Sequence, residues 1–259
     1  MWLMICSEND SSALWAFQGL QARGLQPFHL VTTEMLTRST KLEHTVGVDG
    51  AQINITLADG RVINNRQVRG VVNRMTHVPL EHLAGASDYD YAVQEYTALF
   101  MSWLNVLPDP VFNGVDTQGL SGAWRHASEW VWLAAQAGLP TPDYTQTSHD
   151  QIDESVEFRR LLPETAKTMM AITVRDRVFG PTLPTTFRKG CAELARLSKT
   201  PLLGIEFGVK PGSNSLVFAG ATPMPDLRLG GEPLLDALAV NLFRRKGGTD
   251  HDSTLWNSQ

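Results

Sequence analysis

Apolar residues mark the start of the chain in three short blocks: a run from Trp2 to Cys6, then Leu14, Phe17 and Leu20 at intervals of three, then Phe28 to Val31. The spacing of the middle block places its side chains on one helical face, which Ser11 or Ser12 can cap and Gly24 can end. The opening is therefore predicted to be strand, helix, strand. Leu42 to Val48, Gln52 to Leu57 and Arg61 to Ile63 then read as strands, with Asp59-Gly60 as a tight hairpin turn between two of them. Val68 to Val72 supplies another short strand. From Asp88 the period changes: Ala92, Tyr96, Leu99, Phe100, Trp103, Leu104 and Leu107 form one helical stripe, which Pro108 and Pro110 stop.

Val111 to Asn113 is a short apolar link. Ser121 is predicted to cap a helix through Trp124, Ala127, Val131, Ala134 and Ala135, ended by Gly138. The stretch 145–157 is rich in Ser, Asp, Gln and Glu and reads as a boundary between two halves. Beyond it, Thr168 to Val174 and Arg177 to Phe179 make a hairpin, Phe187 to Leu197 a helix, and Leu202 to Leu227 two buried strands with a Pro-rich exit loop. Leu234, Leu235, Leu238, Ala239 and Leu242 mark a last amphipathic helix. The expected organisation is an N-terminal domain at 1–144, a C-terminal domain at 145–245 and a polar, disordered tail at 246–259.

Composition narrows the function classes. With 259 residues, 42% apolar and 19% charged, the chain can bury a sizeable core. Its net charge of -5 argues against a nucleic-acid partner, because binding a phosphate backbone needs clustered Lys and Arg. Cys6 and Cys191 belong to no metal-type cluster, and two free thiols fit a cytoplasmic protein. The apolar start is too short and too polar-flanked for a signal peptide, and no run is long enough to span a membrane. GxSxG, GxGxxG and P-loop patterns are absent. His77, His82 and His126 have no ligand spacing, and Trp124, Trp130 and Trp132 cannot all face one core.

Three segments carry a resemblance. VVNRM (Val71 to Met75), then PDPVFN followed by LSGAWRHASEWVWLAAQAGLPTPDY, then LLGIEFGVKPGSNSLVFAGATPMPDL (Leu202 to Leu227) are similar, in order and spacing, to the ATP-grasp ligases of the RimK-like, peptide-modifying kind. The resemblance implies an α/β fold, with a Rossmann-like pre-ATP-grasp domain followed by a reduced ATP-grasp-like domain with a mixed sheet. It also implies that Glu206 is a retained metal ligand, while Gly220 and Thr222 stand where the family has Glu and Asn. Met170 replaces the arginine that steadies the phosphates, and the family's Lys-Pro strand is missing between Pro142 and Thr168, leaving only Lys167 nearby.

These departures imply a truncated, degenerate relative with no catalytic residues and no cofactor. Candidate ligand contacts are Ser7, Glu8 and Asn9 after the first strand, where open α/β sheets bind ligands; a plain helix-capping loop is the alternative. Asn73 and Arg74 end the Val71 strand, and Arg74 can hold a carboxylate or make a structural salt bridge. Asp226 and Arg228 flank the exit loop, which two prolines can also fix simply as a turn. The favoured expectation is a noncatalytic accessory protein of a peptide or small-metabolite pathway, binding a protein partner, a second copy, a small molecule or a peptide. The alternatives are an ATP- and Mg-dependent carboxylate-amine ligase completing its site in an oligomer or through Lys167, Arg175 and Arg177, and a metabolite-binding α/β protein with a coincidental likeness.

Overall fold

The computed structural model describes residues 1–48, 50–80, 85, 87–142, 144, 168–209 and 215–244. His82, Lys167, the polar stretch at 145–157 and the tail at 246–259 lie outside them. Strand β1 (Trp2–Cys6), helix α1 (Ser11–Ala22) and β2 (Phe28–Thr32) form the expected opening, and a five-residue helix α2 (Thr33–Thr37) follows. Next come β3 (Lys41–Gly47), β4 (Gly50–Thr56), β5 (Val62–Asn64), β6 (Gly70–Asn73), α3 (Tyr89–Asn105), β7 (Val111–Phe112) and α4 (Ala127–Gln136). The second half contains β8 (Thr168–Val174), β9 (Arg177–Phe179), α5 (Thr185–Leu197), β10 (Leu202–Val209), β11 (Leu216–Thr222) and α6 (Gly231–Phe243).

The described residues form three sheets, with orders β2-β1-β6-β7, β3-β4-β5 and β11-β10-β8-β9. The first is parallel throughout, and the other two are antiparallel. The first half thus holds both a parallel sheet and a small antiparallel one, while among the described residues the sheet of the second half is antiparallel. Every residue of β1 is buried, as a strand covered on both faces requires. Leu3 and Ile5 point into a cluster with Ile53, Ile55 and Ile63 of the small sheet and Phe100 and Trp103 of α3. Trp2, Met4 and Cys6 point the other way, onto α1 and α6.

Those two helices are shared. Ile172, Val174, Phe179 and Leu202 of the antiparallel sheet join the same cluster as Leu20, Leu234, Leu235, Leu238 and Leu242, so α1 and α6 form a middle layer between the two larger sheets. Burying each such leucine contributes about 2 kcal/mol. The far face of the antiparallel sheet, with Leu203, Ile205, Phe207 and Phe218, packs against α4 and α5.

Several boundaries differ from expectation for local reasons. Asp10, not Ser11 or Ser12, caps α1 by accepting from the Ala13 N–H at 2.9 Å. Ser12 is buried and accepts instead from the Leu227 N–H at 2.7 Å. Ser121 caps nothing: Gly122 follows it at φ +103, where a right-handed helix cannot start, and α4 begins only after His126, whose Nδ1 accepts from the Ser128 N–H. Trp124 consequently precedes the helix and is exposed, as is Trp132, while Trp130 packs inward. The Asp59-Gly60 turn forms as read, with Gly60 at φ +84 and its N–H bonded to the Leu57 carbonyl.

Candidate functional site

The register of the antiparallel sheet brings the residues singled out by the resemblance into one row. Glu206 on β10 stands opposite Met170 on β8 and Gly220 on β11. Thr222 lies two residues along β11, on the same face, opposite Gly204. A bulge between Glu206 and Phe207 shifts the pairing with β11 immediately beside the carboxylate. Bulges re-aim neighbouring side chains, and this one lies beside Glu206, the residue that the resemblance marks as a metal ligand. A Cβ built on Gly220 would meet only Glu206 Oε2, at 3.8 Å, so there is room beside the carboxylate for a larger side chain.

The described residues of this face do not by themselves make a magnesium-nucleotide site. Magnesium takes oxygen ligands in near-octahedral geometry, and one carboxylate beside a thioether and a glycine supplies a single anionic donor. The Thr222 hydroxyl is already engaged by the Met224 N–H at 3.0 Å. Among the described residues no group of three or more His, Cys, Asp or Glu side chains is placed to hold a metal ion.

Next to this row, the exit loop of β11 is tied to the parallel sheet. A Cβ on Gly204 would come within 2.8 Å of Pro225, which shows how closely the loop folds back over β10. Arg74 is 5% exposed; its Nε donates to Asp10 Oδ2 at 2.6 Å and its Nη1 to the Pro225 carbonyl at 3.0 Å. Arg74 thus has two internal acceptors. Asn73 is fully buried and its Nδ2 donates to the carbonyls of Asn113 and Leu120 at 2.8 and 2.6 Å.

Asn113 completes this connection. It is 1% exposed, at φ 54, and its Nδ2 donates to the carbonyls of Leu202 and Pro223, both at 2.8 Å. Its Oδ1 accepts from the Leu202 N–H at 3.1 Å. Asparagine tolerates this left-handed conformation better than most residues. The PDPVFN pattern brought Asn113 to notice as part of a likeness, but nothing in it revealed a joint between the sheets.

The remaining candidates sit around this joint. Ser7, Glu8 and Asn9 lie beyond the carboxyl end of β1; Glu8 and Asn9 are exposed, while the Ser7 hydroxyl accepts a long bond from the Asn9 N–H at 3.4 Å. Asp226 and Arg228 pair with each other at 2.6 Å on the exit loop, and the hydrogen bond from Arg228 holds the Asp226 carboxyl below its ordinary range. Arg175 and Arg177 flank the β8–β9 turn, and Arg175 is five residues from Met170 along an extended strand, about 17 Å. They are too distant to complete a site at Glu206. The Cys6 thiol is pushed up to about 12, by burial first and by Asp10 second, which removes it as a nucleophile.

No family model and no curated protein sequence matches the chain. Solved structures do. The macrocyclase MdnB from Microcystis aeruginosa MRC aligns with a TM-score of 0.67 and 14% identity, over 94% of this chain and 99% of that one. MdnC from the same organism, bound with the precursor peptide MdnA, gives 0.70 and 15%, over 93% and 98%. The ATP-grasp ligase PsnB, complexed with minimal precursor, Mg and ADP, gives 0.68 and 14%, over 94% and 98%. Identities this low speak to architecture alone, and the alignments run over almost the full length of each chain: the protein has the α/β fold of the peptide-modifying ATP-grasp ligases.

Proposed function

We propose that this chain is a noncatalytic, peptide- or metabolite-binding protein built on the ATP-grasp fold, serving as an accessory component of a biosynthetic pathway. One observation carries the reading: among the described residues Glu206 is the one carboxylate in a row with Met170, Gly220 and Thr222, on the face where a ligase of this fold would need several donors. Transferring a phosphoryl group requires metal ions and cations that neutralise charge as it develops. Each electrostatic contact of this kind is worth about 3 kcal/mol in rate, so three missing together amount to roughly 9 kcal/mol. That is a millionfold loss or more.

The peptide-bound state of the similar structures supports a peptide as the ligand class, since MdnC is described with a precursor peptide and PsnB with a minimal precursor. Ser7, Glu8 and Asn9 are the candidate contacts best placed to meet it, because Asn73, Arg74, Asp226 and Arg228 already hold internal partners. A second reading, a ligase whose site is completed by another copy, draws support from the ADP and Mg in the PsnB structure.

Calorimetric titration with Mg-ADP separates the two. Under the first reading no saturable heat appears at millimolar nucleotide, and the triple variant Met170→Arg, Gly220→Glu, Thr222→Asn gains measurable binding, because Gly220 has space for a side chain. A saturable isotherm from the unmodified protein that disappears in Glu206→Ala would overturn the noncatalytic reading.

A further inference from the structure

On the outer side of the antiparallel sheet, the β8–β9 turn, α5 and the residues leading into β10 enclose an open groove of about 720 Å3. Four cations line it: Arg175 from the turn, Lys189 and Arg196 from α5, and Lys199 just after the helix. Lys189 and Arg196 are seven residues apart, two helical turns, and so share one face. A second hollow of about 540 Å3 adjoins it through Asp176, Lys189 and Ala192, and adds Arg177 and Arg188. Six cations therefore face two anions, Asp176 and Glu193, in a chain whose net charge is -5.

Several of these cations are held in place. The Arg175 guanidinium lies over the Phe112 ring at 5.7 Å, and the residue's backbone N–H, which fixes the turn, bonds to the Pro201 carbonyl at 2.6 Å. Arg196 is gripped by both Glu193 oxygens, at 2.8 and 2.5 Å. Lys189 and Lys199 are exposed and have no acidic partner among the described residues. Between the charges the floor is apolar, made by Ala192, Ala195 and Pro201.

We propose that this groove docks an acidic peptide segment, at a site separate from the Glu206 face. Carboxylates would meet Lys189 and Lys199, while aliphatic side-chain stems lie on the alanine and proline floor. A long nucleic acid would run out onto the rest of a net-negative molecule, whereas a short acidic peptide stays within the positive field. The six cations were scattered in the sequence between residues 175 and 199, and only the fold of turn against helix gathers them.

The test is fluorescence anisotropy with labelled hexaglutamate, using hexaglutamine and a short oligothymidylate as comparison probes. Hexaglutamate is expected to bind at low salt and weaken as salt rises, and Lys189→Glu with Lys199→Glu is expected to bind at least about tenfold more weakly. The milder Lys189→Gln with Lys199→Gln should fall between. Lys41→Glu, a charge reversal at an exposed lysine of the small antiparallel sheet, should bind hexaglutamate unchanged, which assigns the loss to this groove rather than to net charge. Equal binding of hexaglutamine, tighter binding of oligothymidylate, or no loss in the charge-reversed variant would each overturn the proposal.

Discussion

Replacing Asn113 with alanine removes three side-chain hydrogen bonds that reach from the end of the parallel sheet to Leu202 on the antiparallel one and to Pro223 on its exit loop. Each such bond is worth about 1 kcal/mol net, and more where a buried partner is left without water, so the set contributes roughly 3 kcal/mol. Alanine must also hold φ 54, at a further cost of about 1 kcal/mol. The expected loss is about 4 kcal/mol, a large share of the roughly 5 to 15 kcal/mol that folded proteins of this kind possess. Asn113→Gly discriminates between bonding and backbone. Glycine accepts φ 54 freely but gives up about 0.5 to 1 kcal/mol through the flexibility of the unfolded chain, so the two variants should fall within about 0.5 kcal/mol of each other. Urea denaturation followed by tryptophan fluorescence reads this directly, as a midpoint lowered by about 1 M or more. A glycine variant within about 1 kcal/mol of the parent would refute the argument, since Asn113 would then matter only for its backbone.

Two arginines should behave very differently in the same urea assay. Arg74→Met leaves the largely buried Asp10 carboxylate and the Pro225 carbonyl without their donor and should cost about 3 to 5 kcal/mol, whereas Arg23→Met breaks two bridges to the exposed Glu232 and Asp236 and should cost under about 1 kcal/mol. Gly204→Ala should destabilise by about 1 to 3 kcal/mol, because the new methyl meets Pro225 at 2.8 Å and the Met170 sulfur at 3.1 Å; no change in midpoint would mean the exit loop yields freely. Cys6 and Cys191 have thiols pushed up to about 12, mainly by burial, so a chromogenic disulfide reagent at mild alkaline pH should find neither in the native protein and both in urea. Because both folded values lie above the ordinary thiol value, their contribution to stability is complete below about pH 9 and declines as pH rises towards 12.

Element order was largely legible because the apolar runs are clean: β8 and β9 run over the residues expected of a hairpin, and β1 reads as an unbroken apolar run because both its faces are covered. What failed locally was capping. Asp10 and Ser12 are both competent caps by residue type, and the choice fell to tertiary structure, since Ser12 is drawn away by the Leu227 N–H from more than two hundred residues along the chain. The five residues of α2 are too few to show a helical period. At the site, Met170, Glu206, Gly220 and Thr222 could be picked out one at a time by likeness, but their common row depends on strand register. The roles of Arg74 and Asn113 depend on bonds between distant segments, and no local pattern encodes those. The basic groove is hidden for a related reason: its charges alternate with apolar and acidic residues in sequence and gather only where the β8–β9 turn packs beside α5.

The middle helical layer has a consequence for synthesis. Trp2 donates its indole N–H to the Leu242 carbonyl at 3.3 Å, and α1 packs against α6, so one face of β1 is covered by a helix synthesised more than two hundred residues after it. The parallel sheet cannot therefore complete its packing before residues 231–243 are made. Until residues 231–243 emerge, Trp2, Met4 and the inner face of α1 must wait with apolar surface uncovered, and such surface is where nascent chains are captured by chaperones or by one another. Folding that closes over so long a sequence separation is also slow. A ribosome stalled shortly before residue 231 would hold a chain that lacks one wall of its own core.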